Sequence, residues 1–475
     1  MTVVDDIRAR AVERPDHPAI QIAHRGDDAV ETLTYGELVE SFTDRAALLA
    51  RATRVDGCRV GMVAPQGREF VETALAILAA GGCLVPIPSD QSDESLRDFA
   101  GKARVEALVR VGDGLGLEAV DAGDALPADV RDSFRTLDPA YVRFTSGTTN
   151  ERKGVVLSHA RILERLDAAN RGMSISRDDR VLWLLPMAHH FVVSILLYLR
   201  NGATILLPSG SLAQPVLEIA ASLRPTVFYA SPYHYGLLAK DASSGRLDSV
   251  RLAVSTAEGL RADIAALFAE RFELSLVQAL GIIEVGLPVM NHVSAATKPT
   301  ALGRPLPDYD VWLRDEAGRP VVERGSADRC GEVCIRGPGM FDAYLDPWTP
   351  SADIVEPDGF RTGDQGWFDA DGDLHLIGRR TNRINMAGMK FFSEEVEAVL
   401  DRHPAIAASR VLARAHPHLG QIPVAEVVIS PSAREPSRRE LTDYCRDHLP
   451  TYKIPRQFQI VERLPKTVTG KLRRV

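Results

Sequence analysis

The segment Phe144-Thr-Ser-Gly-Thr-Thr-Asn-Glu-Arg-Lys153-Gly154, leading into the apolar run Val155-Val-Leu157, sets the reading of this chain. Packed hydroxyls, two glycines and a lysine have little use in a core, because buried hydroxyls need partners and glycine fills no space. As a loop they bring backbone N–H groups and hydroxyls close to phosphate oxygens, and we read the stretch as a phosphate-binding loop. The Walker spacing is excluded, since it needs glycine directly before the lysine and serine or threonine directly after. Here Arg152 precedes Lys153 and Gly154 follows it. The same composition also suits a solvated loop, so the reading depends on its surroundings.

Around this loop, short β-branched apolar runs alternate with helix-like stretches, which predicts an α/β architecture. Arg59-Val-Gly-Met-Val-Ala reads as a strand, Glu69 to Ala80 as a helix and Cys83-Leu-Val-Pro-Ile as the next strand. Ala203-Thr-Ile-Leu-Leu-Pro and Arg251-Leu-Ala-Val-Ser read as further strands, and Ala262 to Phe272 as a helix. Thr362-Gly-Asp364 reads as a turn, because glycine and aspartate punctuate chains there. Gly112-Asp-Gly-Leu-Gly116 hints at a dinucleotide fingerprint, but its spacing is incomplete, and it too reads as a turn. His159 reads as a helix-end residue.

At 475 residues the chain is long for a single core and suggests two or three domains. A glycine with polar neighbours follows the strand-like Leu374-His-Leu-Ile, which suits a hinge. The predicted domains are a large multi-sheet N-terminal one, 1–378, and a small mobile α+β one, 379–475. The latter should hold a helix capped at Ser393, strands at Ser409–Leu412 and Val424–Ile429, and a helix opened by the capping box Ser437-Arg-Arg-Glu440. From Arg379 to Val475 there are 18 Lys+Arg against 10 Asp+Glu, so this end carries +8 and the remainder −16. That imbalance favours a polyanionic ligand such as ATP or an acidic partner protein. No recognition-helix motif accompanies the charge, and nucleic acid is not expected as a partner.

Five scattered cysteines argue against a disulfide scaffold, and the Cys330/Cys334 pair, in a strand-like stretch, reads as buried thiols. The N-terminal residues lack the basic flank, apolar stretch and cleavage site of a signal peptide. No apolar run approaches the roughly 20 residues of a membrane span. The expectation is a cytoplasmic protein with no membrane partner.

Read together, the motifs resemble the adenylate-forming superfamily of acyl-CoA synthetases, peptide-synthetase adenylation domains and luciferases. Thr34-Tyr-Gly-Glu-Leu38 resembles its first motif, Thr145 to Gly154 its phosphate loop, and Gln278-Ala-Leu-Gly-Ile-Ile-Glu284 its aromatic-Gly-x-Thr-Glu motif. Gly303-Arg-Pro305, Gly331-Glu332 with Arg336-Gly-Pro338, Thr362-Gly-Asp364, Gly378-Arg379, the loop Gly388 to Glu397 and Pro465 to Arg474 follow in the family's order. The likeness covers nearly the whole chain.

The resemblance implies an enzyme of two half-reactions, with ATP and Mg²⁺ as cofactors. A carboxylate attacks the α-phosphate of ATP to give an acyl-adenylate and pyrophosphate, and a thiol of coenzyme A or of a carrier protein then takes the acyl group. Both reactants are anionic, so charge neutralisation and alignment must carry the first step. By resemblance, Thr145, Ser146, Gly147, Thr148, Thr149 and Lys153 would hold the phosphates, with Thr148 also catalytic. Glu284 would hold Mg²⁺, Asp364 the ribose hydroxyls, and Arg379 would neighbour ribose and phosphate. Lys471 would bridge the substrate carboxylate to the α-phosphate. The small domain would turn about Arg380-Thr381-Asn382 between the two steps.

Several positions depart from the family's pattern. Asn150 and Arg152 replace a glycine and a proline, Leu280 an adenine-stacking aromatic, and Ile283 a threonine that meets the α-phosphate. Leu185-Pro-Met-Ala-His-His-Phe-Val-Val-Ser194 resembles the segment where amino-acid-activating relatives place an aspartate on the substrate ammonium. That position is His190 or Val192, neither of them acidic, which implies an aryl or other non-amino carboxylic acid; the Pro-Met-Ala-His run most resembles relatives that activate aryl acids, while His189 also fits acyl-CoA synthetases. The implied acid pocket comprises His190, Phe191, Val192, Ser255, Ala279, Leu280 and Gly281, with His189 as a gating, catalytic histidine. The expected protein is an acid–thiol ligase of the kind used in secondary metabolism. The alternatives are a different oxyacid, transfer to an amine, or a nucleotide-binding relative without turnover.

Overall fold

The computed structural model describes residues 2–24, 29–52, 55–89, 93–112, 115–119, 126–144, 153–355, 359–431, 433–465 and 472, with backbone alone at 93, 115–119 and 328. The chain divides into two compact units. One holds the described residues up to Asp310 together with Arg336–Phe360, and the other holds Val311–Ile335 and the residues from Arg361 onward.

Two mixed sheets organise the first unit. In one, the parallel strands Leu276–Ile282, Leu252–Ser255, Val227–Ala230, Arg180–Trp183, Thr204–Leu207 and Pro18–Ala23 lie side by side, with antiparallel strands at both margins. In the other, Pro139–Phe144, Cys83–Ile87, Arg59–Val63 and Ala107–Val111 run parallel, and Gly154–Ser158 and Ala343–Tyr344 extend the sheet antiparallel. Strands packed on both faces are apolar throughout rather than alternating. Cys83–Ile87 and Leu252–Ser255 are accordingly buried along their whole length. One core lies beneath the helices Ala213–Leu223, Pro232–Lys240 and Ala262–Phe272, and gathers Phe228, Tyr235, Phe268 and Phe272.

In this unit Arg59–Val63, Arg68–Ala79, Thr204–Leu207 and Ala262–Phe272 form within a residue or two of their anticipated ends, whereas the strands expected at Ser409–Leu412 and Val424–Ile429 of the other unit are longer, Ile406–His416 and Gly420–Ile429. Ala107–Val111 and Leu115–Ala119 pair antiparallel, which is the geometry of a hairpin and not of a dinucleotide βαβ unit. His159 is the first residue of the helix His159–Met173, and burial lowers its imidazole pKa.

The second unit carries a sheet built from Asp310–Arg314, Gly331–Arg336, Phe360–Phe368 and Leu374–Arg379, and another built from Arg383–Met386, Met389–Phe392, Ile406–His416, Gly420–Ile429 and Gln457–Ile460. Its core includes Ile384, Val396, Val411, Val424, Leu441 and Cys445. The capping box forms as expected: Ser437 Oγ accepts from Glu440 N at 3.2 Å, and Glu440 Oε2 accepts from Ser437 N at 2.7 Å. Ser393 differs from expectation. It is buried inside the first turn of the helix Ser393–Leu400, and Glu395 Oε1 accepts the N–H of Phe392 at the helix entry. Cys334 is buried within its strand, whereas Cys330, just before the strand, is only half-buried.

Candidate active site

The residues Thr145, Ser146, Gly147, Thr148 and Thr149 lie outside the described residues, as does Lys471, but the two strands that flank the loop are well defined. Phe144 and Gly154 are direct antiparallel partners. A Cβ at Gly154 would lie 2.8 Å from Phe144 Cζ, so the Phe144 ring occupies the space that a side chain at 154 would need. The strand Pro139–Phe144 also anchors the histidine segment. Tyr141 OH donates to Ala188 O at 3.2 Å, and Arg143 Nη1 donates to His189 O. The strand Pro139–Phe144 is thus bonded directly to the segment expected to line the acid pocket.

Lys153 sits with its Nζ 4.7 Å from the centroid of the Tyr344 ring, a cation–π distance. Tyr344 is register partner to Val155, two residues beyond the lysine. Its OH donates to Glu284 Oε1 at 3.1 Å. Burial, helped by the Glu284 carboxylate, pushes the Tyr344 phenol well above its ordinary pKa, so it is protonated and donates. Lys153 therefore meets the ring and Glu284 the hydroxyl of one phenol.

Glu284 occupies the turn between Leu276–Ile282 and Gly286–Met290. Three contacts hold that turn. Phe341 N donates to Glu284 O at 2.8 Å, Val285 N to Ile282 O at 2.9 Å, and Arg165 Nη1 to Ile283 O at 3.1 Å. Arg165 is 1% exposed, and desolvation lowers its pKa to about 10 against the raising influence of Tyr309, Asp342 and Glu284.

Of the residues expected to line the acid pocket, His190 packs against Trp183. The Trp183 ring stacks on Tyr229 at 5.1 Å, and meets Tyr198 edge-on at 5.9 Å and His190 at 5.7 Å. Met187–His190 is a single helical turn, followed by a π-helical turn over Phe191–Ile195, a form common where a helix is bent to serve a site. Phe191 and Val192 are buried, Phe191 against Phe70 at 5.6 Å. Thr256 Oγ1 donates to Ala279 O at 3.1 Å, and Thr256 and Ser194 both neighbour the Tyr229 hydroxyl. Leu280 is half-buried, and Gly281 is exposed with open space where a Cβ would stand. Ser255 pairs with Ala230 and Gln278 and shares a sheet face with Ala253, over the core beneath the three helices. Its Oγ is buried with no hydrogen-bond partner among the described residues.

In the second unit, Asp364 and Arg379 are register partners on adjacent antiparallel strands, and Arg379 Nε donates to Asp364 Oδ1 at 3.0 Å. The expected turn at Thr362-Gly-Asp364 is corrected by this pairing: Asp364 lies within the strand Phe360–Phe368, where Gly363 sits at φ +75° and the register shifts between Gln365 and Gly366. Thr362 Oγ1 donates to Val333 O at 2.9 Å and accepts from Asp364 N at 3.1 Å. Asp364 is 8% exposed. The expected hinge is one 3₁₀ turn, Arg380–Asn382, and Asn382 Nδ2 donates to Glu394 Oε1 at 2.5 Å.

Tyr344, Arg165, Trp183 and Tyr229 escaped sequence reasoning. Tyr344 lies in a two-residue strand without periodicity, and the other three read as ordinary helix or strand residues.

The architecture is one shared with solved structures. ATP-bound MatB from Rhodopseudomonas palustris superposes with a TM-score of 0.84 at 23% identity, covering 100% of this chain and 97% of that one. The profile of the AMP-binding enzyme family matches residues 7–345, and that of the AMP-binding enzyme C-terminal domain matches residues 395–471. This chain belongs to the AMP-binding enzyme family.

Among curated relatives, the phenyloxazoline synthase MbtB of Mycolicibacterium paratuberculosis is 29% identical over 98% of this chain, which spans 41% of that protein's length. Feruloyl-CoA synthase from an Amycolatopsis species is 27% identical over 93% of this chain and 92% of its own. No helix among the described residues is long and apolar enough to cross a membrane.

Proposed function

We propose that this chain adenylates a non-amino carboxylic acid, of aryl type, with ATP and passes the acyl group to a thiol of coenzyme A or a carrier protein. The observation that carries the reading is the convergence of Lys153 and Glu284 on Tyr344, beside the strands that flank the glycine-hydroxyl loop. An ammonium and a carboxylate so placed suit a triphosphate and its divalent cation. Mg²⁺ fits the donor chemistry, because Glu284 offers hard carboxylate oxygens and the phenol engages only Oε1. When bound, the cation supplies charge neutralisation across phosphate oxygens. Lys153 would grip the leaving phosphates with the loop's hydroxyls, Glu284 would hold the cation, and Asp364 would accept from the ribose. Lys471 would bridge the attacking carboxylate and the α-phosphate.

The acid class rests on the histidine segment. His190 packs its ring on Trp183 and Val192 is buried, so the position that would meet a substrate ammonium carries no carboxylate. Trp183, Tyr198 and Tyr229 supply aromatic surface next to it. The feruloyl-CoA synthase relative supports the same class.

The test is acid-dependent pyrophosphate release across benzoic, cinnamic, aliphatic and α-amino acids, with and without coenzyme A. Turnover confined to aryl acids is expected. Turnover with α-amino acids alone would overturn the acid class, and ATP binding without pyrophosphate release for any acid would point to a relative without turnover.

A further inference from the structure

Resting on the adenylating reading, we propose that Tyr344 is a positioning residue that fixes the Glu284 carboxylate through its hydroxyl and the Lys153 ammonium through its ring, so that a single phenol sets both the cation site and the triphosphate grip. The two contacts are geometrically independent. The hydroxyl lies 3.1 Å from Glu284 Oε1, while Nζ of Lys153 lies 4.7 Å from the ring centroid. Glu284 is half-buried in a turn, and Lys153 is exposed at the mouth of the loop.

The backbone around Tyr344 fixes the phenol in place. Tyr344 and Ala343 pair antiparallel with Val155 and Val156 on one side and with Thr349 and Pro350 on the other. Leu345 N donates to Gly154 O at 2.8 Å, and Asp342 N to Val156 O at 3.0 Å. Phe341, three residues before the tyrosine, donates its N–H to the Glu284 carbonyl, and its ring packs on Tyr344 at 4.8 Å. The segment 341–345 is thus bonded to both the loop strand and the Glu284 turn, and the phenol stands where the two converge. A carboxylate steered through Oε1 presents Oε2 to a cation in a defined direction, and an ammonium seated on a ring face needs less ordering when phosphate arrives.

The experiment compares wild type with Tyr344→Phe and Tyr344→Ala, using a non-hydrolysable ATP analogue and Mn²⁺ as probes. Analogue affinity is measured by calorimetry without divalent metal, then Mn²⁺ affinity by electron paramagnetic resonance at saturating analogue. Tyr344→Phe keeps the ring and should bind the metal-free analogue within about twofold of wild type, while its Mn²⁺ affinity falls by about three- to tenfold from the lost hydroxyl. Tyr344→Ala should weaken both.

Mn²⁺ affinity within twofold of wild type in Tyr344→Phe overturns the proposal, and the phenylalanine arm decides even where the alanine variant fails to fold. Failure of wild type itself to bind the analogue would remove the adenylating reading, and this inference with it.

Discussion

Arg379 donates its Nε–H to Asp364 Oδ1 at 3.0 Å across adjacent strands, and the two residues are direct register partners. The arginine side chain is 49% exposed while the aspartate is buried, so the pair orients a carboxylate more than it stabilises the fold. Asp364→Asn should leave the thermal midpoint within the range of a loss below about 1 kcal/mol. If Asp364 binds the ribose as proposed, the substitution should weaken nucleotide affinity by about tenfold or more, because the carboxylate becomes an amide with one acceptor oxygen. Calorimetry with an ATP analogue beside thermal unfolding checks this, and a lowered midpoint with unchanged affinity would make the pair purely structural.

Arg165 is a buried cation answered by carbonyls. Nε reaches Gly339 O at 3.0 Å and Nη1 reaches Ile283 O at 3.1 Å. Arg165→Met fills comparable space but leaves those carbonyls without their donor, so we expect a loss of about 2–4 kcal/mol. The Glu284 turn loosens as well. Urea unfolding gives the stability change, and a rise in KM for ATP reports the turn; stability equal to wild type would show the clamp to be dispensable.

At Gly154, an added Cβ meets Phe144 Cζ at 2.8 Å and Leu345 Cβ at 3.2 Å. Gly154→Ala must displace the Phe144 ring and crowd Leu345 beside Lys153, and overpacking of this kind costs about 1–3 kcal/mol. The thermal midpoint should fall and ATP affinity should fall with it. An unchanged midpoint would mean that the Phe144 ring turns aside freely.

Lys471→Ala should abolish acid-dependent pyrophosphate release and leave transfer of the acyl group from a supplied acyl-adenylate to coenzyme A intact. The separation follows from a point cation that acts only while two anions meet. Both half-reactions can be followed by chromatography, and full adenylation by the variant would take Lys471 out of the mechanism.

Glu440 accepts from the backbone of Ser437, and that hydrogen bond, followed by those from the Ser437 side chain and Arg434, lowers its pKa to about 2. A carboxylate depressed in the folded state stabilises fully above its unfolded pKa of about 4.3 and loses that contribution as pH falls through the folded value. Wild type should therefore exceed Glu440→Gln in urea midpoint at pH 5, and the gap should close on the way down to about pH 2. A gap constant over that range would show that the carboxylate charge plays no part in the cap.

The sequence by itself determined the α/β class, the position of many elements and the chemical character of the loop, because these follow from local periodicity and composition. The capping box at Ser437 was legible for the same reason, since all its partners lie within four residues. The tertiary structure decided what depends on register between distant strands. Asp364 became a strand residue, because pairing with Arg379 outweighed the turn preference of Thr-Gly-Asp. Ser255 fell on the face of the helical core while Tyr229 and Thr256 fell on the other, a matter of one residue's step in the pleat. Tyr344 joined Lys153 to Glu284 only because a two-residue strand docks on Val155 and Val156, and no local pattern in Phe-Asp-Ala-Tyr-Leu encodes that contact.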